Sequence, residues 1–191
     1  MKHQLVFATN NQHKLDEVQL KVGDAFEIIS LKAIGCEEDI EETGVTLEEN
    51  ASIKSQYVYQ NYQADCFADD TGLEIFALNN EPGVYSARYS GSRDFTKNMD
   101  LVLEKMQGKT DRSARFRTVI SLIIKEEEHL FEGIVNGKIR TEKSGKDGFG
   151  YDPIFEPEGY DITFAEMSLE EKNIISHRGR AMEKLINFLK S

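Results

Sequence analysis

Apolar and polar positions alternate along this chain with two different periods, and the switches between them mark out its elements. Leu5-Val6-Phe7-Ala8 is a compact apolar run that ends in Thr9-Asn10-Asn11-Gln12-His13-Lys14, after which Leu15, Val18 and Val22 recur at helical spacing. Strand, polar loop and helix are expected in that order. Phe26 to Leu31 predicts a second strand, and Thr46-Leu47-Glu48-Glu49 has the capping-box form that opens a helix running toward Tyr62. Between them Glu37, Glu38, Asp39, Glu41 and Glu42, followed by Thr43-Gly44, predict an acidic loop. Cys66-Phe67-Ala68 and Leu73 to Leu78 read as strand pieces bracketing a turn at Asp69-Asp70-Thr71-Gly72. Met99, Val102, Leu103 and Met106 place a helix over Phe95 to Met106. Arg115 to Lys125 and His129 to Arg140 read as two long antiparallel strands joined by an acidic turn. Ser168-Leu169-Glu170-Glu171 is a second capping box, and Ala181, Met182, Leu185, Ile186 and Leu189 form the apolar stripe of a C-terminal helix. Tyr57, Tyr59 and Tyr62 suit packing or a subunit face. Interleaved helices and strands give an α/β class with a mixed sheet. With no repeat and no linker, residues 1–191 read as a single domain.

Composition narrows the function. The chain of 191 residues is 39% hydrophobic, long enough to bury a core without disulfide or metal staples. Its 34 acidic against 23 basic residues give a net charge of −11, which argues against a nucleic-acid binder with a broad basic face. Any anionic ligand must therefore be drawn by a local basic pocket. Cys36 and Cys66 match neither zinc nor redox spacings and read as reduced thiols of a cytoplasmic protein. Met1-Lys2-His3-Gln4 leads into the first strand without an apolar signal core. The longest apolar stretch, Val119 to Ile124, is broken by Ser121 and too short to span a membrane.

Four constellations carry candidate chemistry. Thr9 to Lys14, between strand and helix, offers backbone N–H groups, a helix N-terminus, Asn amides and a Lys ammonium to phosphate oxygens, although it lacks the glycines of a Walker loop. The plainer reading is a turn in which Asn11 caps the helix. Asp69-Asp70, with the acidic loop around Glu41, offers the few hard carboxylates that Mg²⁺ takes alongside substrate phosphates, or else a solvated acidic turn. Ser144-Gly145-Lys146-Asp147-Gly148-Phe149-Gly150-Tyr151-Asp152-Pro153 can bring backbone and the aromatic face of Phe149 against a heterocycle, with Asp152 accepting from a ring N–H, or can be a glycine-rich hairpin turn. Lys172, His177, Arg178 and Arg180 gather cations at a helix N-terminus, where an anion would offset them, or form a solvated patch pairing with Glu170 and Glu171. The cation-bearing loop Ser86 to Gly91 suits structure or ligand contact equally.

Laid out in order, these residues closely resemble the inosine triphosphate pyrophosphatase family over nearly the whole chain. The likeness rests on Phe7 to Lys14, Glu41 to Gly44 with Glu49-Asn50-Ala51, Ala68 to Leu73, Pro82 to Tyr89, Gly148 to Pro153, and Glu171-Lys172 with Ser176 to Gly179. The resemblance implies Mg²⁺-dependent hydrolysis of ITP, dITP and XTP to the monophosphate and pyrophosphate. It implies an elongated mixed sheet with flanking helices, two lobes around a central cleft, and a homodimer. It further implies that Thr9, Asn10, Asn11, Gln12, His13 and Lys14 hold the triphosphate, and that Glu41 and Asp70 bind Mg²⁺. Asp70 would also take the proton from the attacking water. Phe149, Gly150, Tyr151, Asp152, Lys172, His177 and Arg178 would recognise the base, with Thr71 lining the site. The family usually carries Gly where this chain has Asn10, and Ser where it has Thr71. Two other functions fit the same phosphate chemistry: a pyrophosphatase for a modified pyrimidine triphosphate, and a non-catalytic nucleotide sensor.

Overall fold

The computed structural model describes residues 3–23 and 26–191; Met1 and Lys2, which entered the reading of the N-terminus, lie outside them. In chain order the elements are β1 (His3–Phe7), α1 (Gln12–Val22), β2 (Phe26–Ser30), α2 (Leu47–Tyr62), β3 (Cys66–Ile75) and β4 (Glu81–Gly83). They continue as α3 (Phe95–Lys105), β5 (Ser113–Ile124), β6 (Glu127–Ile139), β7 (Phe155–Pro157), α4 (Leu169–Ile175) and α5 (His177–Lys190). The strand order is β2-β1-β3-β5-β6-β7, with β4 on β3. β1 pairs parallel with β2 and β3, while β4 on β3 and β7 on β6 run antiparallel, so the sheet is mixed as expected.

Local chemistry sets the boundaries. Thr46 and Glu49 satisfy each other's backbone N–H groups to start α2, and Ser168 with Glu171 does the same for α4. Asn11 accepts from the N–H of His13 and Lys14, so α1 begins at Gln12 and takes in residues expected to be loop. The turn between the long strands is Lys125-Glu126, both at positive φ, a two-residue turn that returns β5 into β6, so that Glu127 and Glu128, expected in an acidic turn, begin β6.

One expectation fails outright. Asp69-Asp70-Thr71-Gly72 is no turn: β3 runs unbroken through it, and the chain turns instead at the 3₁₀ segment Phe76–Leu78. The polar residues looked like a break because turn propensity describes exposed backbone, whereas these aspartates are buried and held by side chains.

The chain divides into two compact units, the first Met1–Asp70, Thr118–Gly133 and Arg178–Ser191, the second Thr71–Arg117 and Ile134–His177. The first contains two apolar clusters. Leu5, Phe7, Val18, Phe67, Ile120 and Leu185 pack into one, where Phe7 stacks on Phe67. Val6, Ala8, Leu31, Val58 and Cys66 form the other, against which Tyr57, Tyr59 and Tyr62 pack. The second unit has one core, including Leu73, Val102, Phe116, Ile139, Phe155 and Phe164. Among the described residues no helix is long and apolar enough to cross a membrane.

Candidate functional site

In the first unit β1 is the switch point of the sheet, with β2 parallel on one side and β3 parallel on the other. Ligands of open α/β sheets bind beyond the carboxyl ends of the strands at such a point, where neighbouring loops diverge. The register pairs Phe7 with Phe67, and the Ala8 N–H donates to the Phe67 carbonyl, so Thr9 to Lys14 and Asp69-Asp70 emerge side by side. The two motifs are thus neighbours beyond the ends of β1 and β3.

Asp69 is 1% exposed. Its Oδ1 accepts from Lys14 Nζ at 2.9 Å, and its Oδ2 accepts from Arg178 Nε at 3.1 Å and lies 3.0 Å from the second guanidinium nitrogen. The Asp69 backbone carbonyl accepts from Lys54 Nζ at 2.7 Å. Burial alone would raise the carboxyl; Lys14, Arg178 and Lys54 outweigh it and hold Asp69 well below the usual carboxylate range. Asp70 goes the other way. Burial, with Glu42 adding to it, pushes its carboxyl up against the pull of Lys54, Lys14 and the Asn50 amide. Adjacent carboxylates with divergent environments are the arrangement that separates a fixed anion from a proton acceptor.

The cations around them are pinned. Burial lowers Lys14, helped by Lys54 and Arg178. Burial also opposes Lys54, but Asp70, Glu42 and Asp69 raise it overall. Lys54 Nζ donates to Glu42 Oε1 at 2.5 Å. Arg178, 2% exposed, bridges Asp69 and Glu17, and both carboxylates raise it despite burial. Thr9 Oγ1 accepts from the Asn11 N–H at 3.2 Å, Gln12 reaches along α1 to Asp16, and Asn10, Gln12 and His13 are exposed. Asn10 has no positive φ, so a side chain where the family usually has Gly strains no backbone. Glu41 is exposed, and it is its neighbour Glu42 that grips α2.

The second unit holds the aromatic group. Asp152 Oδ2 accepts from the Phe149 N–H at 2.9 Å and from Lys172 Nζ at 2.6 Å. Lys172 Nζ stands 4.8 Å from the Phe149 ring centroid, a cation–π contact in a buried place. Gly148, at φ +75°, leaves no room for a side chain, since a Cβ there would fall 2.2 Å from Asp152 Oδ2. Tyr151 is buried and donates its hydroxyl to the Ser86 carbonyl at 2.7 Å, which ties down the loop; Gly150 at φ +63° lets it turn. His177 is buried and stacked on Phe116 at 4.6 Å. Thr71 is half-buried at the start of this unit. Of the four cations expected around the start of α5, Lys172 pairs with Asp152, Arg178 pairs with Asp69 and Glu17, and Arg180 is exposed.

The sequence reading assigns no site role to Glu17, Glu42, Asn50 or Lys54, although Glu42 and Asn50 lie in motifs it singles out. Two signals were available: Lys14 and Glu17 lie three residues apart, and Asn50 and Lys54 four apart, so each pair shares a helix face.

Known proteins resemble this chain along nearly its whole length. The chain is 55% identical over 189 residues to a dITP/XTP pyrophosphatase of Flavobacterium psychrophilum, covering 98% of this chain and 100% of that one. It is 49% identical to a dITP/XTP pyrophosphatase of Porphyromonas gingivalis, covering 97% and 96%. Solved structures of the Ham1 proteins of Staphylococcus aureus and Coxiella burnetii superpose with TM-scores of 0.88 and 0.90 at 42% and 40% identity, each covering 98% of both chains. The Ham1 family model matches residues 5–188, and the chain belongs to the Ham1 family.

Proposed function

We propose that this chain hydrolyses the non-canonical purine nucleoside triphosphates dITP, ITP and XTP to the monophosphate and pyrophosphate, and so cleanses the nucleotide pool. The observation that carries the reading is the buried Asp69-Asp70 pair, Asp69 bonded to Lys14 and Arg178, and Asp70 bonded to the Asn50 amide and set in surroundings that push its carboxyl up. Its support from relatives is that proteins named dITP/XTP pyrophosphatase match nearly full length at up to 55% identity.

Mg²⁺ is the metal of this reading. Glu17, Glu42, Asp69 and Asp70 outnumber Lys14, Lys54 and Arg178 by one charge, so the group as it stands does not attract a polyanion. Among the described residues no cluster of three or more His, Cys, Asp or Glu could hold a metal by itself. That suits a cation taken by one or two carboxylates, here Glu41 and Asp70, together with substrate phosphates. When bound, Mg²⁺ neutralises phosphate charge and polarises the bond that breaks.

The chain's own residues do the rest. The N-terminus of α1 and residues Thr9 to Lys14 receive phosphate oxygens, with Lys14 and Lys54 as point charges. Asp69 fixes Lys14 and Arg178 in place before substrate arrives, so no reorganisation is needed at the moment of reaction. Asp70 takes the proton as water attacks phosphorus and the bridging P–O bond breaks to release pyrophosphate. Phe149 and the loop through Gly150, Tyr151 and Asp152 offer the purine a flat face. Lys172 and His177, with Arg178 next in the chain, supply donors toward O6. Adenine, which presents an amino group there, leaves such donors unsatisfied and is rejected. In this reading Thr71 lines the site, and the protein acts as a cytoplasmic homodimer.

Ion-exchange analysis of products from dITP, XTP, ATP, GTP and dUTP with Mg²⁺ tests the reading. Pyrophosphate and monophosphate from dITP and XTP are expected. Orthophosphate would refute the mechanism, and binding without turnover would make the protein a sensor.

A further inference from the structure

We propose that Asn50 is a positioning residue that locks the acidic loop to Asp70, fixing the orientation of the carboxylate that accepts the proton. The proposal deepens the pyrophosphatase reading and rests on it. Asn50 is 0% exposed, one turn into α2, where Asn is a poor helix former and a buried amide is costly unless fully bonded. Both ends of its amide are used across different segments. Oδ1 accepts from the Gly44 N–H at 2.8 Å, and Nδ2 donates to Asp70 Oδ2 at 3.1 Å. A backbone N–H can only donate, so this partner dictates which end of the amide faces the loop and leaves the NH₂ for the carboxylate.

Gly44 carries independent evidence of the same lock. A Cβ there would fall 2.7 Å from Asn50 Oδ1 and 2.6 Å from Glu49 Cβ, so the loop backbone approaches α2 as closely as only glycine permits. Glu49 Oε2 accepts the next two amides, Val45 N at 2.7 Å and Thr46 N at 3.3 Å. Three successive loop amides therefore end on the side chains of residues 49 and 50. Lys54, four residues on, holds Glu42 of the same loop. The segment bearing Glu41 and Glu42 is thus fastened along one face of α2, and Asn50 is the fastening that also touches Asp70.

The test uses two substitutions that act from opposite sides. Asn50→Asp keeps the volume but faces Asp70 with an acceptor. Gly44→Ala drives the Asn50 amide away and leaves both it and Asp70 in the chain. In nucleotide-free, metal-free protein, amide hydrogen exchange at position 44 is expected to accelerate about tenfold or more in a third variant, Asn50→Leu, which removes the oxygen that accepts from it, the scale of one lost buried hydrogen bond, and to stay slow in Asn50→Asp, whose carboxylate still accepts. In Asn50→Asp and Gly44→Ala kcat for dITP is expected to fall about tenfold or more while KM stays within about threefold, the signature of a group acting on the transition state. A purely structural Asn50 would lower the melting temperature and leave kcat of the folded protein unchanged. That result, or a protected amide at position 44 in folded Asn50→Leu, overturns the proposal. Should Asn50→Asp fail to fold, Gly44→Ala decides alone, and unchanged kcat there refutes the lock. If wild type releases no pyrophosphate from dITP, the pyrophosphatase reading fails and takes the catalytic role with it, while exchange at position 44 still reports whether the fastening exists.

Discussion

Asp69 and Asp70 are neighbours in one strand with opposite surroundings, so the same isosteric change at each should have opposite consequences. Asp69→Asn removes a buried anion that holds Lys14 and Arg178, at 2.9 and 3.0 Å. Breaking a buried pair from one side costs about 3–5 kcal/mol, and because the Asn amide oxygen still accepts from one cation the lower end, about 3 kcal/mol, is expected. For a domain of this length that lowers Tm by roughly 6–12 °C. Asp70→Asn instead removes a carboxylate whose charged form burial and Glu42 disfavour, and its amide oxygen can still accept from Asn50. Its stability should stay within about 1 kcal/mol of wild type or exceed it, while turnover falls about 100-fold or more, the scale of a lost general base. The sign in pH follows from the direction of the Asp69 shift. Its folded value lies below its unfolded one, so its contribution is complete above the ordinary carboxylate value of about 3.9 and is lost only as pH falls through the depressed value. The gap between wild type and Asp69→Asn should hold from neutral pH down to that region and close below it. Urea unfolding with pyrophosphate release on the same preparations reads both quantities. Equal stability of Asp69→Asn and wild type, or greater destabilisation by Asp70→Asn, refutes this division of roles.

Three further outcomes are expected. Because burial and the neighbouring Lys54 and Arg178 lower Lys14 from the ordinary lysine value of 10.5, kcat/KM should decline on the alkaline side earlier than for a free lysine, and Lys14→Arg should move that limb upward; an unmoved limb removes Lys14 from phosphate binding. Phe149→Ala should raise KM for dITP roughly 5- to 150-fold, the worth of one base stacked on an aromatic ring, with a smaller effect on kcat; unchanged KM would show that the purine does not rest there. Cys66, pushed up to about 12 by burial and by Asp65, donates its thiol to the Ser55 carbonyl and should resist iodoacetamide at pH 8 in the native protein. Peptide mass mapping with and without denaturant checks it, and native labelling would mean that this core opens.

What was legible in the sequence was whatever a local rule encodes. Thr46 with Glu49 and Ser168 with Glu171 announce helix starts because a capping box is complete within four residues, and both formed. The apolar runs of β1, β2, β5 and β6 appeared close to their observed spans for the same reason. β3 was misread because its aspartates are stabilised by Lys14, Lys54 and Arg178, residues 55, 15 and 109 positions away, and no window of sequence contains that fact. Arg178 illustrates the same limit at the site. Its place at the start of α5 was visible, but its partners Glu17 and Asp69 come from two other elements. Glu17 carries no local signal that sets it apart, yet it is 2% exposed.

Under the proposed function, this distribution of charge accounts for how a chain with a net charge of −11 would receive a triphosphate. A solvated basic patch would be cancelled by the surrounding field and by salt, since exposed charges are screened beyond roughly 10 Å. Here Lys54 and Arg178 are buried and Lys14 is largely so, each set against a carboxylate rather than left to water. Such cations are already desolvated and aimed, so in the proposed reading an arriving phosphate would meet donors at a cost the fold has met beforehand. The same pairing prevents them from attracting the anion unaided, because Asp69 and Glu42 balance them locally. Catalysis by this group should therefore depend on a divalent cation far more steeply than on ionic strength. Raising NaCl from about 50 to 200 mM should alter KM for dITP by less than about threefold at saturating Mg²⁺, while EDTA should abolish turnover. A strong salt dependence with turnover surviving in EDTA would mean that exposed lysines, not the Asp69 cluster, bind the phosphates.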